Sequence, residues 1–117
     1  MSGIVISPEG GERLQRESRH HRVLCELPAL EVVELSFGPE FEGVDPHTHA
    51  DPTDCFFVLA GEAEFTVEGE TVRAGPGAFV ATPIGTVHGF RNAGDGELRL
   101  LNIHAPTTGF VERMRPR

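Results

Sequence analysis

The sequence predicts an all-β protein whose short strands form a double-sheet barrel. From about residue 23 onward, short runs rich in Val, Phe, Leu and Thr are separated by Gly and Pro at intervals of roughly eight to twelve residues. Several runs alternate between apolar and polar residues, which is typical of strands with one buried face. So small a β-protein must also protect its sheet edges, and folding the sheet onto itself does this.

Six segments are predicted as strands: residues 30–37, 54–60, 63–68, 78–82, 87–91 and 97–104. The first alternates in part, the second is apolar on both faces, and the third alternates cleanly. Clusters of Gly and Pro predict turns between them, because Gly adopts positive φ easily and Pro fixes its own φ. These turns fall at residues 61–62, 68–70, 74–77 and 92–96. Only residues 108–114 are predicted as helix.

The chain of 117 residues has the length of one domain. We divide it into an N-terminal arm, residues 1–22, and a barrel domain, residues 23–117. The arm is polar and rich in charge from residue 9 to residue 22, so it is predicted to be flexible and without chemistry. His20 and His21 are adjacent, point to opposite faces of any strand, and are expected to be a solvated surface pair.

The charge balance excludes several classes of partner. Ten Lys plus Arg against 18 Asp plus Glu give a net charge of -8, which repels phosphate backbones and anionic membranes. We therefore expect no nucleic-acid partner. The longest apolar run, residues 55–60, is too short to span a bilayer, and no signal peptide is visible, so a cytoplasmic location and no membrane partner are expected. Cys25 and Cys55 are predicted to be free thiols.

Three histidines and an aspartate are candidate metal ligands. His47 and His49 are two residues apart, which on a strand places both imidazoles on one face. Asp54 follows after a turn-like segment, and His88 comes from a separate strand. Three imidazoles and one carboxylate suit a divalent iron, manganese, nickel, copper or zinc ion.

The spacing around these residues resembles the paired motifs of the cupin superfamily. The first stretch is H-x-H-x4-D-x6-G, from His47 to Gly61, and the second is G-x5-P-x-G-x2-H-x3-N, from Gly77 to Asn92. The second matches the family pattern at all five fixed positions. The first differs in two ways, since Asp54 stands where the family usually has glutamate and Phe41 stands at its leading glycine. Aspartate is one methylene shorter than glutamate. Asp54 could therefore bind the metal directly or through water, or it could instead accept a hydrogen bond from a histidine ligand and orient it.

The resemblance implies a double-stranded β-helix, a jelly-roll barrel with a metal inside it. It also implies a homodimer. Inside the barrel, alternation should point Phe56 and Val58 inward with Asp54, and Phe90 inward with His88. His104 shares a face with Leu98, Leu100 and Asn102.

His104 is the candidate catalytic residue, as a general base near the metal, with a hydrogen-bonded core histidine as the alternative. Phe41, Phe65 and Phe79 are expected to fill the core rather than to line the cavity. Cys55 should point away from Asp54, into the layer where the sheets pack, and be structural rather than catalytic.

We interpret the chain as a metal-dependent cupin that acts on a small organic molecule, with His47, His49, His88 and Asp54 as ligands. A redox metal with open coordination positions would support dioxygenase chemistry, which we favour. The alternatives are a metal-dependent isomerase or decarboxylase and a non-catalytic small-ligand-binding protein, because the family alone does not choose among them.

Overall fold

The computed structural model describes residues 3–48 and 52–116, which form ten strands and one short helix. The strands are β1 (Glu12–Arg16), β2 (Arg19–Glu26), β3 (Glu31–Phe37), β4 (Val44–His47), β5 (Thr53–Ala60), β6 (Ala63–Val67), β7 (Glu70–Ala74), β8 (Phe79–Thr82), β9 (His88–Asn92) and β10 (Leu98–Ala105). The helix α1 spans Phe110–Met114. No helix in the described ranges is long and apolar enough to cross a membrane.

Two antiparallel sheets pack face to face and confirm the predicted all-β double-sheet fold. The larger sheet has the strand order β1-β2-β3-β10-β5-β8, and the smaller has the order β4-β9-β6-β7. β1, β2 and β3 are consecutive in both sequence and sheet, but β10 then lies between β3 and β5. The last strand of the chain therefore occupies the middle of the larger sheet.

The prediction of a flexible arm over residues 1–22 is wrong from Glu12 onward. β1 and β2 form a hairpin, and β2 continues the larger sheet by pairing with β3. The hairpin looks unstructured in the sequence because most of its side chains face solvent, and only Leu14, His21 and Val23 are buried. His20 and His21 do point to opposite faces, but His21 is 4% exposed and therefore is not a surface residue.

Alternating residues of both sheets fill the core, as the pattern predicts. Phe56, Val58 and Phe90 are buried as expected, and so is the face of β10 that carries His104. Phe56 of the larger sheet lies 5.2 Å from Phe65 and 5.4 Å from Phe90 of the smaller sheet, measured between ring centroids. Tilted aromatic pairs at such distances contribute about 0.5–1.5 kcal/mol each beyond their burial, so they fix the two sheets against each other.

Of the three phenylalanines predicted to fill the core, Phe41 and Phe65 are buried, but Phe79 is 58% exposed. The register explains this correction. Phe79 pairs with Phe57 at the edge of the larger sheet, and both side chains lie on the outer face of that sheet. Cys55 points away from Asp54, as predicted, but lies half-buried on the same outer face and not in the layer between the sheets, and both cysteines are free thiols.

Two motif residues, Gly61 and Asn92, have structural reasons for their identity. Gly61 has φ 85°, and a Cβ there would collide with the carbonyl oxygen of Glu97. The Asn92 side-chain amide donates hydrogen bonds to the carbonyls of Gly96 at 2.8 Å and Gly38 at 3.2 Å, while its Oδ1 accepts one from the backbone N–H of Gly94. Asn92 thus holds the turn before β10 and ties it to the end of β3.

Candidate functional site

A cavity of about 310 Å³ lies between the two sheets. The larger sheet contributes Asp54 and Phe56 from β5 together with Asn102 and His104 from β10. The smaller sheet contributes His47 from β4 and the pair His88 and Phe90 from β9. Three of the four predicted ligands therefore line one cavity, and His49, the fourth, lies outside the described residues.

Asp54 is buried at the centre of the polar side chains in this cavity. Its Oδ1 accepts a hydrogen bond from the Asn102 side-chain amide at 2.6 Å and lies 3.3 Å from Nε2 of His104. Its Oδ2 lies 3.0 Å from Nε2 of His88. Burial alone would raise the pKa of Asp54, but hydrogen bonds from its two histidine neighbours and Asn102 hold it well below its usual range. The carboxylate is therefore ionised at neutral pH.

His88 is fixed by a hydrogen bond on each ring nitrogen. Its Nδ1 donates to the carbonyl of Thr86 at 2.8 Å, so Nε2 is the nitrogen that faces Asp54. The hydrogen bond to Asp54 raises the pKa of His88 against the opposing effect of burial. A cation that replaced the Nε2 proton would therefore meet a preoriented lone pair beside a carboxylate.

His47 faces the same region with its ring oriented in the same way. Its Nδ1 donates to the carbonyl of Asp45 at 3.0 Å, which leaves Nε2 with the lone pair when the ring is neutral. The His47 and His88 residues pair across β4 and β9, and their ring centroids are 4.7 Å apart. His47 is exposed and His88 is 2% exposed, so the first imidazole lies at the surface and the second in the interior.

These donors fit a divalent transition metal. Two ligand atoms, each about 2.1 Å from one ion and about 90° apart, are about 3.0 Å from each other, and His88 Nε2 and Asp54 Oδ2 have this separation. Imidazole nitrogen with carboxylate oxygen is the donor set that iron, manganese, nickel, copper and zinc accept. Within residues 3–48 and 52–116, however, no group of three His, Cys, Asp or Glu side chains meets the geometry of a complete ion site.

His104 lies between two carboxylates rather than beside a single one. Its Nε2 lies 3.3 Å from Asp54 Oδ1, and its Nδ1 lies 3.4 Å from Oε2 of Glu31, which is fully buried. Glu31 also accepts hydrogen bonds from the backbone N–H groups of Thr108, Phe110 and Val111. The start of α1 is thereby connected through Glu31 and His104 to Asp54.

The sequence did not point to several residues of this cavity. Glu31 lies in a predicted strand without any signal of its own, Arg19 and His21 lie in the segment predicted to be a flexible arm, and Arg113 lies in the predicted short helix. The signal that could have found His21 is its position between Arg19 and Val23 at alternate sites, which places all three on one face of a strand. No sequence signal identifies Arg113, because the packing of α1 against the barrel decides its position.

Replacing His21 with Leu is expected to flatten the pH dependence of stability in mild acid. Burial, with Arg19 and His20 as nearby cations, lowers the pKa of His21 to about 4, whereas the unfolded value is about 6.5. Between these values the unfolded chain binds the proton and the folded protein does not. Wild-type stability therefore falls as the pH drops through this window, by roughly 2 to 3 kcal/mol.

Urea denaturation at about pH 7.5 and about pH 4.5 measures this difference. The matched control is His20→Leu, which changes the exposed neighbour and should keep most of the wild-type loss of stability, because burial is the main cause of the lowered pKa of His21. An equal loss in the His21→Leu variant and in the wild type would show that His21 does not cause it.

The fold and site define a class: a small jelly-roll barrel whose internal cavity is lined by histidine and carboxylate side chains. The family model described as Cupin domain (Cupin_2) matches residues 33–104, more than half of the chain. The chain belongs to this family. The matched region begins in β3, ends in β10 and includes both sequence motifs.

The chain is similar to known proteins in sequence and in fold. The chain is 28% identical over 90 residues to quercetin 2,3-dioxygenase from Bacillus subtilis, which corresponds to 74% of this chain but only 27% of that protein. Two solved structures share its fold. KdgF from a Halomonas species aligns with TM-score 0.82 at 21% identity, covering 92% of this chain and 96% of that one. An RmlC-like cupin from Shewanella frigidimarina aligns with TM-score 0.77 at 19% identity, covering 91% and 93%.

Proposed function

We propose that this protein is a metal-dependent cupin that oxidises a small organic molecule, with His47, His49, Asp54 and His88 holding one divalent transition metal ion. The observation that supports this most is the approach of His88 Nε2 and Asp54 Oδ2 to 3.0 Å in a cavity that His47 also lines. Apolar side chains line the same cavity as these residues, so an organic ligand could bind next to the ion.

Dioxygenase chemistry is the favoured reaction. A redox-active divalent metal supplies the electron transfer to dioxygen that oxygenation of an organic molecule requires. Similarity to a quercetin 2,3-dioxygenase supports this choice, although the chain spans about a quarter of that relative. An isomerase or decarboxylase using the same ligands, and a non-catalytic binder, are the competing assignments.

The surrounding residues orient the site and can hold a proton. Thr86 and Asp45 provide the backbone carbonyls that orient the rings of His88 and His47. His104 has a carboxylate within 3.4 Å of each ring nitrogen, and these contacts orient its ring. In the proposed reaction His104 takes a proton from a substrate hydroxyl, as a general base beside the cavity. Phe56 and Phe90 exclude water from the inner wall.

The test is elemental analysis of protein purified without a metal-affinity tag, together with oxygen uptake on a panel of diketones and catechols. We expect near-stoichiometric iron, manganese, nickel or copper and substrate-dependent oxygen uptake. The double variant His47→Ala and His49→Ala should lose the metal and the oxygen uptake, whereas the exposed control His20→Ala should keep both.

Three outcomes would count against the proposal. Stoichiometric zinc without oxygen uptake would replace the oxygenase by an isomerase, a decarboxylase or a binder. Unchanged metal content in the double variant would mean that the ion binds elsewhere. A protein that takes up no metal even after reconstitution would overturn the metal site itself.

A further inference from the structure

We propose that the cavity contains a second, cationic subsite formed by Arg19, His21 and Arg113, and that it binds a carboxylate group of the small-molecule ligand. This inference rests on the proposed function and deepens it by naming the substrate class, an organic acid. The carboxylate of this acid lies away from its other oxygens, which approach the proposed metal ligands. All three residues line the same cavity as His47, Asp54 and His88.

The subsite is built from the two ends of the chain. Arg19 and His21 are alternate residues of β2 and therefore lie on one face of that strand. Arg113 is on α1, which Glu31 attaches to the barrel through backbone N–H groups. In the larger sheet, β3 and β10 separate β2 from β5, the strand that carries Asp54. Two strands therefore separate Arg19 and His21 from the strand of Asp54 along one wall of the cavity.

In the described part of the chain neither Arg19 nor Arg113 has a carboxylate partner; arginines such as Arg73 are unpaired as well, so what distinguishes these two is their position in the cavity. Arg91, Arg99 and Arg115 each form ion pairs with glutamates. Within residues 3–48 and 52–116 neither Arg19 nor Arg113 forms an ion pair. The guanidinium of Arg19 lies 5.1 Å from the centroid of the Phe41 ring, and Arg113 donates to the carbonyl of Thr108 at 2.9 Å.

Unpaired guanidinium groups at a cavity suit an organic acid. A guanidinium presents a planar set of donors that matches the two oxygens of a carboxylate. No carboxylate of residues 3–48 and 52–116 forms an ion pair with either arginine, so both guanidinium groups can bind the carboxylate of a ligand. An incoming carboxylate would therefore gain charge-assisted hydrogen bonds without displacing an existing ion pair.

His21 adds a neutral donor beside the two cations. It is 4% exposed, and its buried Nδ1 has no hydrogen-bond partner among the described residues. A neutral imidazole carries one N–H donor, and in the tautomer with that proton on Nδ1 this buried group can donate to the carboxylate of a ligand. The ring contacts Phe110, with centroids 5.8 Å apart, so its orientation is restricted by packing.

Apolar side chains lie among the polar residues of the cavity. Leu35 and Phe37 on β3, Phe90 on β9 and Phe110 on α1 contribute to its lining. A flat or aromatic ligand body would bury its faces against these side chains while its polar groups reach the two polar regions. The volume of about 310 Å³ limits the ligand to a small molecule.

The experiment compares two probes that differ only in charge, 3,4-dihydroxybenzoate and 3,4-dihydroxybenzamide. Isothermal titration at fixed ionic strength is carried out on metal-free protein and on protein loaded with nickel. We expect the benzoate to bind at least about tenfold more tightly than the benzamide. The double variant Arg19→Gln and Arg113→Gln should abolish this preference and leave the affinity for the benzamide within about twofold of wild type.

The matched control is Arg73→Gln, an exposed arginine of β7 outside the cavity, and it should keep the full preference. Equal binding of the two probes to wild type, or a preference that survives in the double variant, would overturn the subsite. Failure of the metal site gives a different result. Protein that takes up none of iron, manganese, nickel, copper or zinc but shows the preference in the metal-free state, and loses it in the double variant, supports the subsite and refutes the proposed function.

Discussion

Replacing Glu31 with Gln is expected to destabilise the protein by about 3 kcal/mol and to loosen α1 from the barrel. The Glu31 carboxylate is fully buried, accepts hydrogen bonds from the backbone N–H groups of Thr108, Phe110 and Val111, and lies 3.4 Å from the His104 ring. Glutamine has nearly the same size, so the substitution changes hydrogen bonding and charge with little change in packing.

The size of the effect follows from what the amide cannot do. One carboxylate oxygen becomes an NH₂ group, which faces N–H donors and leaves at least one of them unsatisfied in the interior. Hydrogen bonds to a charged group contribute about 1.5–3 kcal/mol, and removing one partner of a buried charged pair costs about 3–5 kcal/mol. The backbone N–H groups at the start of α1 lose their acceptor, so the helix should open locally.

Urea denaturation gives the free energy of unfolding, and hydrogen exchange at the Val111 amide reports on α1. The matched control is Glu34→Gln on the same strand, where the carboxylate pairs with the partly exposed Arg99 and should contribute less than about 1 kcal/mol. If the two variants lose equal stability, or if Val111 stays protected in Glu31→Gln, the carboxylate does not anchor the helix.

The second large effect is expected in metal affinity. His88→Ala should weaken binding of nickel or zinc by more than about 100-fold, whereas Asp54→Ala should weaken it less. His88 is buried and preoriented by Thr86, so its loss removes a ligand that water reproduces poorly. The shorter reach of Asp54 makes it the less secure ligand, and water can take the place of its oxygen.

Competition with a chromophoric chelator measures these affinities, with the exposed His20→Ala as the control. Because metal must displace the Nε2 proton of His88, whose pKa is raised, affinity should also fall as the pH is lowered. An Asp54→Ala variant that loses as much affinity as His88→Ala would show that the carboxylate is a full ligand. Unchanged affinity in His88→Ala would exclude His88 from the site.

Local pattern was enough to predict the barrel and the inward faces of its central strands. Asp54, Phe56 and Val58 are buried as their alternation requires, and the motif glycines and asparagine hold the turns that the spacing indicates. These features depend on residues near each other in sequence. The roles of Asp54 and His88 in metal binding stay predictions.

The features that the sequence did not predict depend on long-range packing. Phe79 is apolar and in a strand, yet it faces outward because its strand is at the edge of the sheet and pairs with Phe57. The β1–β2 hairpin is polar because it too is at an edge, so its few inward residues gave little hydrophobic signal. Glu31 meets α1 across nearly 80 positions of sequence, and no local pattern records such a contact.

The central position of β10 has a consequence for how the protein is made. β3 and β5 do not pair with each other, because β10 lies between them and pairs with both. β10 also brings Asn102 and His104 to Asp54. During synthesis, the larger sheet therefore cannot form completely until residue 105 has left the ribosome. Such non-local pairing slows folding. The residues around the proposed metal site would all come together only after the chain has folded.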